Sequence, residues 1–168
     1  MRAPILVFAI SFFASSVLAG DWSGPYVGGQ ASMRNGVTGA DGGGVGLGLH
    51  GGYNIDLGNL VLGGEFEYEH VQLLQSGSGN YLNNVGRLKL RAGRDFGATM
   101  AYAIFGGVNG DTTDGSETGI VYGLGLVAEV GDRVTLSGEA LRQVFDNFAS
   151  AGRNLKTDSL SVRVSFRF

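Results

Sequence analysis

Two histidines, a few loop hydroxyls and several runs of alternating charge are the residues of this chain with chemistry to offer. His70 follows Glu69 and precedes Ser76 and Ser78, which places an acid, a base and two hydroxyls close in sequence. Hydrolytic chemistry on such a set needs the base held within hydrogen-bond reach of the nucleophile. The two serines sit among Gly77 and Gly79, which provide no such preorganisation, so no catalytic residue is assigned. His50 is read as a hydrogen-bonding residue. Asp111, Asp114 and Glu117 offer oxygen ligands for Ca²⁺, but their spacing is not that of an EF-hand, and no metal site is assigned. Gly42-Gly43-Gly44, with Gly46 and Gly48, has the composition of a phosphate loop but lacks its Lys-Ser/Thr and its helix. There is no Cys, which excludes disulfides and thiolate-bound zinc or iron–sulfur centres. No cofactor is expected.

The charge runs are more orderly. Glu65, Glu67 and Glu69 occupy alternate positions, and so do Arg87, Lys89 and Arg91. In a strand, successive side chains point to opposite faces, so each run lies on one face. Glu129, Glu139, Arg163 and Arg167 fall on the same kind of polar face further along. The set holds five acids and five bases.

Alternation runs through the whole chain. Val45, Leu47, Leu49, Tyr53, Ile55 and Leu57 alternate with Gly46, Gly48, His50, Gly52, Asn54 and Asp56. Leu60, Leu62, Phe66, Tyr68 and His70 alternate with the glutamate face; Leu88, Leu90 and Ala92 alternate with the basic one. Met100, Tyr102, Ile104 and Val108 are read as an aliphatic face against Ala101, Ala103, Phe105, Gly107 and Asn109. Ile120, Tyr122, Leu124 and Leu126 oppose Val121, Gly123, Gly125 and Val127. Val134, Leu136, Ala140 and Val144 oppose Thr135, Ser137, Glu139 and Gln143, and Leu160, Val162, Val164, Phe166 and Phe168 oppose Ser159, Ser161, Arg163, Ser165 and Arg167. A first strand spans Trp22 to Met33. The pattern predicts eight strands of roughly 10–13 residues. Short turns near 57–59, 95–98 and 131–133 alternate with longer polar stretches over 34–44, 72–84, 110–118 and 146–156. This is an up-and-down antiparallel meander. One misfit stands out: strand parity puts Leu141 on the polar face and Arg142 on the apolar one, which a bulge near Ala140 would correct. Alternatively, Arg142 lies high enough to reach lipid phosphates.

Composition decides which face turns inward. The chain has 31 Gly in 168 residues, two Pro and only two lysines, Lys89 and Lys156. A soluble exterior carries many lysines and gains nothing from Gly. A narrow eight-stranded lumen has little room for large side chains. The aromatics Tyr53, Phe66, Tyr68, Tyr102, Tyr122, Phe166 and Phe168 fall near strand ends on the aliphatic face, as interfacial girdles do. The aliphatic face is therefore read as facing lipid. Glycines 46, 48, 52, 63, 107, 123 and 125 are read as facing the lumen; Gly51, Gly64 and Gly138 have lipid-side parity without a reason in the pattern. The expected fold is an all-β, eight-stranded antiparallel up-and-down transmembrane β-barrel. With a formal net charge of −3 and no basic face, a nucleic-acid partner is not expected.

The first residues read as a secretory signal. Met1-Arg2 is followed by an apolar run from Ile5 to Phe13, and Val17-Leu18-Ala19 suits cleavage after Ala19. Residues 1–19 are thus a signal peptide and 20–168 the barrel domain.

Asp21-Trp22-Ser23-Gly24-Pro25-Tyr26-Val27-Gly28-Gly29 resembles the D-W-S/T-G-x-Y-V-G-G opening of small outer-membrane barrels, the opacity-protein-like "porin family" related to the OmpA and OmpX barrels. Gly63-Gly64-Glu65-Phe66-Glu67-Tyr68 resembles the family's G-G-E-x-x-Y strand, and Arg91-Ala92-Gly93 its R-x-G. Leu136-Ser137-Gly138-Glu139-Ala140 is similar to its L-x-A-E-Y, with Ala140 in place of the aromatic. The resemblance implies a bacterial outer-membrane location, contact with outer-membrane lipid and lipopolysaccharide, and a terminal strand whose Phe166 and Phe168 signal to the assembly machinery. It implies no single activity. The expected role is structural or surface-interactive, with an unidentified host or surface ligand for the loops. The alternatives are a narrow porin and, further off, a lipid-modifying hydrolase. Glu65, Glu67, Glu69, Arg87, Lys89, Arg91, Glu129, Glu139, Arg163 and Arg167 are expected to form a charge network that fills the lumen.

Overall fold

The structure, a computed structural model, describes residues 21–38, 43–73, 82–112, 115–148 and 153–168. The expected signal peptide, Gly42, Ser76, Ser78 and Asp114 lie outside the described residues. Eight strands follow one another: β1 (Gly24–Thr38), β2 (Gly43–Asp56), β3 (Leu60–Leu73), β4 (Leu82–Asp95), β5 (Thr99–Thr112), β6 (Gly115–Glu129), β7 (Val134–Phe148) and β8 (Arg153–Arg167). Each pairs antiparallel with its neighbours in sequence, and β8 returns to β1, closing the barrel. Closure leaves no strand edge, as a sheet within a bilayer requires.

The strands are 14 or 15 residues long, longer than the alternation suggested. They run on into stretches read from sequence as loops. β5 and β6, for example, pair as far as Thr112 and Gly115. Polar, Gly-rich composition marks a strand leaving the apolar layer as readily as a loop, which is why the sequence pattern stopped short.

At the end where β1 begins and β8 finishes, two turns share one chemistry. Asp56-Leu57-Gly58 and Asp95-Phe96-Gly97 each place a glycine at positive φ, 93° and 87°. In each, the aspartate accepts the glycine N–H, at 2.7 and 2.6 Å. Asp supplies the local acceptor and Gly the left-handed backbone.

The faces divide as the period requires. Leu47, Leu49, Leu88, Leu90, Leu124 and Leu126 lie outside and are 62–72% exposed. A continuous apolar exterior of this kind fits lipid, not water. The inward face holds a buried set of ionisable residues, Glu65, Lys89 and Arg163 among them, together with a buried apolar layer that includes Val85, Val121, Val127, Leu141 and Phe145.

β5 corrects the sequence reading. Met100, Tyr102, Ile104 and Val108 point inward and are buried; Phe105 points outward and is 61% exposed. Both faces of this strand are apolar, so alternation cannot tell them apart. Its register against β4 and β6 decides. Phe105, expected on the lumenal face, is therefore on the lipid side. Tyr102 leaves the outer face, whereas Tyr53, Phe66, Tyr68, Tyr122, Phe166 and Phe168 are exposed on it; Phe66 and Tyr122 stand in the middle of β3 and β6, not near a strand end. Gly107 faces outward, with open space where a Cβ would stand.

The Leu141–Arg142 misfit is real and needs no bulge at Ala140. β7 pairs with β6 and β8 without a shift through these residues; the irregularity lies between Phe145 and Phe148. Leu141 joins the inner apolar layer. Arg142, on the outside, makes two hydrogen bonds of 2.7 Å to Asp158 of β8, which neutralises it on that surface.

The inner glycines leave space for particular neighbours. A Cβ at Gly125 would strike the Tyr102 ring, at Gly52 the Tyr26 ring, at Gly93 the Met100 sulfur and at Gly123 a Leu141 methyl. Outer Gly64 has nothing nearby. Gly125→Val is expected to abolish heat-modifiable gel mobility in refolded protein, whereas Gly107→Val keeps it. Equal behaviour of the two variants would contradict the facing of β5 and β6.

Candidate functional site: the lumenal charge network

β3 and β4 build the site. In their register Glu65 faces Lys89 and Glu67 faces Arg87. Cross-strand neighbours of opposite charge attract, and diagonal neighbours lie within reach of long side chains. Arg91 accordingly reaches Glu65 at 2.9 Å, and Arg87 reaches Glu69 at 2.7 Å as well as binding Glu67.

Lys89 is the centre. Its ammonium lies 2.7 Å from Glu65, 2.6 Å from Glu67 and 2.9 Å from Glu139, with no exposure to solvent. Oxygens of these three carboxylates lie within 4.8 Å of one another, the spacing of a cation site. Lys89 supplies the cation there, and its three N–H donors match the three acceptors.

Several connections cross the lumen. Lys89 of β4 reaches Glu139 of β7, and Arg163 of β8 reaches Glu65 of β3 at 2.6 Å. Arg34 of β1 binds Glu69 of β3. Arg87 donates from Nε and Nη2 to the Gln143 Oε1 of β7, at 3.3 and 3.2 Å. Arg163 also binds Glu139 on neighbouring β7. Neutral groups complete the set. Tyr26 donates to Glu65 at 2.8 Å, Gln30 to Glu67 at 2.7 Å and Tyr102 to Glu139 at 2.9 Å; Ser32 donates to Glu69. The Arg91 guanidinium lies 4.0 Å from the centre of the Tyr102 ring.

Eight of the ten charged residues singled out from sequence are buried together in this network. Glu129 and Arg167 pair with each other near the terminal end and are partly exposed. Sequence reasoning missed Arg34, Tyr26, Gln30, Gln143 and Tyr102 as members. Arg34 opens the polar stretch that reads as loop, although the parity of Gln30 and Ser32 leads to it. Tyr102 was missed because of the reversed β5. His50 lies in the lumen with Nε2 2.8 Å from Ser165 Oγ. Its Nδ1 has no partner, so the pair lacks the orienting acid of a catalytic triad. His70 lies outside and donates from Nδ1 to Asn84 Oδ1 at 2.9 Å.

The terminal mouth has its own closure. Trp22 precedes β1 and is 2% exposed. Its indole N–H donates to Asp95 at 3.0 Å and its backbone N–H to Asp56 at 3.1 Å, so it joins the two Asp-x-Gly turns. Arg167 lies 5.1 Å from the centre of the Trp22 ring and binds Glu129 and the Asp21 carbonyl. The Ser23 amide and hydroxyl hold the Asp21 carboxyl below the usual carboxylate range.

A closed eight-stranded barrel with an apolar exterior and a charged interior defines a class, the small transmembrane barrels of the outer membrane. The sequence matches the Outer membrane protein beta-barrel domain over residues 5–168, and the chain belongs to that family, whose place is the bacterial outer membrane. Solved structures share the fold. Neisserial surface protein A is 17% identical, with a TM-score of 0.61 over 87% of this chain and 98% of its own. The attachment invasion locus protein Ail of Yersinia pestis is 14% identical, with a TM-score of 0.59 over 87% of this chain and 97% of its own. No curated protein matches the sequence.

Removing one partner of a buried ion cluster leaves uncompensated charge, which costs about 3–5 kcal/mol. Lys89→Met is expected to lower unfolding stability in urea by about that amount, because it brings three carboxylates together without their shared cation. Trp22→Ala removes a buried ring, its indole donor to Asp95 and its contact with Arg167 but leaves the lumenal ion pairs in place, so it too is expected to lower stability, by about 3–5 kcal/mol. An unchanged urea midpoint in either variant would contradict the burial assigned to that side chain.

Proposed function

We propose that this chain is a structural barrel whose lumen is closed to bulk solute and whose hairpin end, opposite the start of β1 and the end of β8, faces the cell exterior. Its role is surface interaction or membrane integrity, not transport or catalysis. One observation carries the reading: Lys89, fully buried, binds carboxylates from both sides of the lumen. Opening a water path there would separate ion pairs in a confined space, at a cost of several kcal/mol. The interior of an eight-stranded barrel is just wide enough for side chains to fill it. The lone His50–Ser165 pair, without an acid on Nδ1, supports a structural role for that histidine. The exposed aliphatic belt serves contact with outer-membrane lipid and lipopolysaccharide. Phe166 and Phe168, edge to face with ring centres 5.3 Å apart at the end of β8, suit recognition by the assembly machinery.

Planar-bilayer recordings of the refolded protein test the closure. The expected result is no stable conductance in the wild type. Steady openings like those of a general porin would replace this reading with the narrow-pore one.

A further inference from the structure

We propose that the hairpin-end part of the lumen holds a small monovalent anion, chloride in ordinary media, on Arg34, Gln143 and Thr157. Two independent observations lead there.

The first is charge. Among the described residues, the buried interior holds five cations and four carboxylates, Arg34 being the cation added by the structure. Glu117 is half-buried on β6 and has a contact of its own. A surplus charge in a low-dielectric interior is unfavourable unless a counter-charge joins it.

The second is hydrogen bonding. Arg34 binds Glu69 through Nη2 alone; its Nε and Nη1 are buried without partners. Gln143 Nε2 and Thr157 Oγ1 are also buried and unpartnered. Turning the Gln143 amide over does not help, because its Oε1 already accepts from Arg87. Buried donors are almost always satisfied.

The register brings these groups together. Gln143 and Thr157 are cross-strand partners on β7 and β8. Thr157 pairs with Gly36 of β1, two residues from Arg34 on the same face. Arg34 and Arg87 share the Glu69 carboxylate, so two guanidiniums converge on one acid, and Arg87 also holds Gln143. The unpartnered groups can all donate, and the surplus charge is positive. An anion answers both needs; a water molecule answers only the hydrogen bonding.

The test uses the full mature chain refolded in nonionic detergent. Thermal unfolding is followed in sodium chloride and in sodium gluconate at constant ionic strength. Binding to the folded state alone raises the midpoint in a saturable way, here by roughly 3 °C. Arg34→Met is expected to lose the chloride response. Gln143→Glu places a carboxylate where the unpartnered amide nitrogen stands, so it should lose the response too and melt higher than the wild type in gluconate. If Arg34→Met fails to fold, Gln143→Glu decides. No chloride effect in the wild type, or an undiminished one in Gln143→Glu, overturns the proposal. Crystals grown in bromide should show an anomalous peak at Arg34, and water alone there overturns it as well. A conducting lumen in the bilayer recordings would leave this readout unaffected, so the two readings fail separately.

Discussion

The structure depends on the burial of charge away from bulk water. Four carboxylates and five cations lie inside a ring of eight strands. Each is costly alone, and the cost falls only where geometry brings opposite charges and donors together. Lys89 shows this most fully, with three carboxylates around one ammonium. Glu65 shows the reverse arrangement, accepting from Lys89, Arg91, Arg163 and Tyr26. Because the groups of these two clusters come from β1, β3, β4, β7 and β8, the network can form only when the barrel has closed. It therefore favours one strand order and one register over slipped alternatives.

The same confinement explains the glycine content. Large lumenal groups such as Tyr26, Tyr102, Met100 and Leu141 stand over inner glycines, where a Cβ would collide with them. Glycine weakens a strand in isolation. Here the space it leaves is filled by a neighbour's side chain that holds a carboxylate or packs the inner layer. At Gly64 and Gly107, on the outside, no neighbour stands close, and nothing in the structure explains the choice of glycine.

Most of the architecture was legible because a strand announces its faces locally. β2, β3, β4, β6 and β8 each set an aliphatic row against a polar or Gly-rich row, and the structure turns the aliphatic row outward in all of them. β5 was not legible, since Met100 and Ile104 on one face are no more apolar than Phe105 and Ala103 on the other. Arg34 was hidden because a polar strand end resembles a loop. Trp22 was legible as part of a motif, but nothing local shows that its ring turns in to join Asp56 and Asp95.

The sequence by itself determined eight alternating segments, their antiparallel order, the short turns at Gly58 and Gly97, and the gathering of charge onto inward faces. Those follow from periods and turn chemistry that act within a few residues. Only the tertiary structure decided that Arg163 meets Glu65, that Lys89 meets Glu139 and that Arg34 meets Glu69. It also decided which way β5 faces. The reason is closure: when β8 pairs with β1, strands far apart in sequence stand opposite each other across the lumen. Which charge then faces which is set by the register around the whole ring, a quantity no local pattern contains.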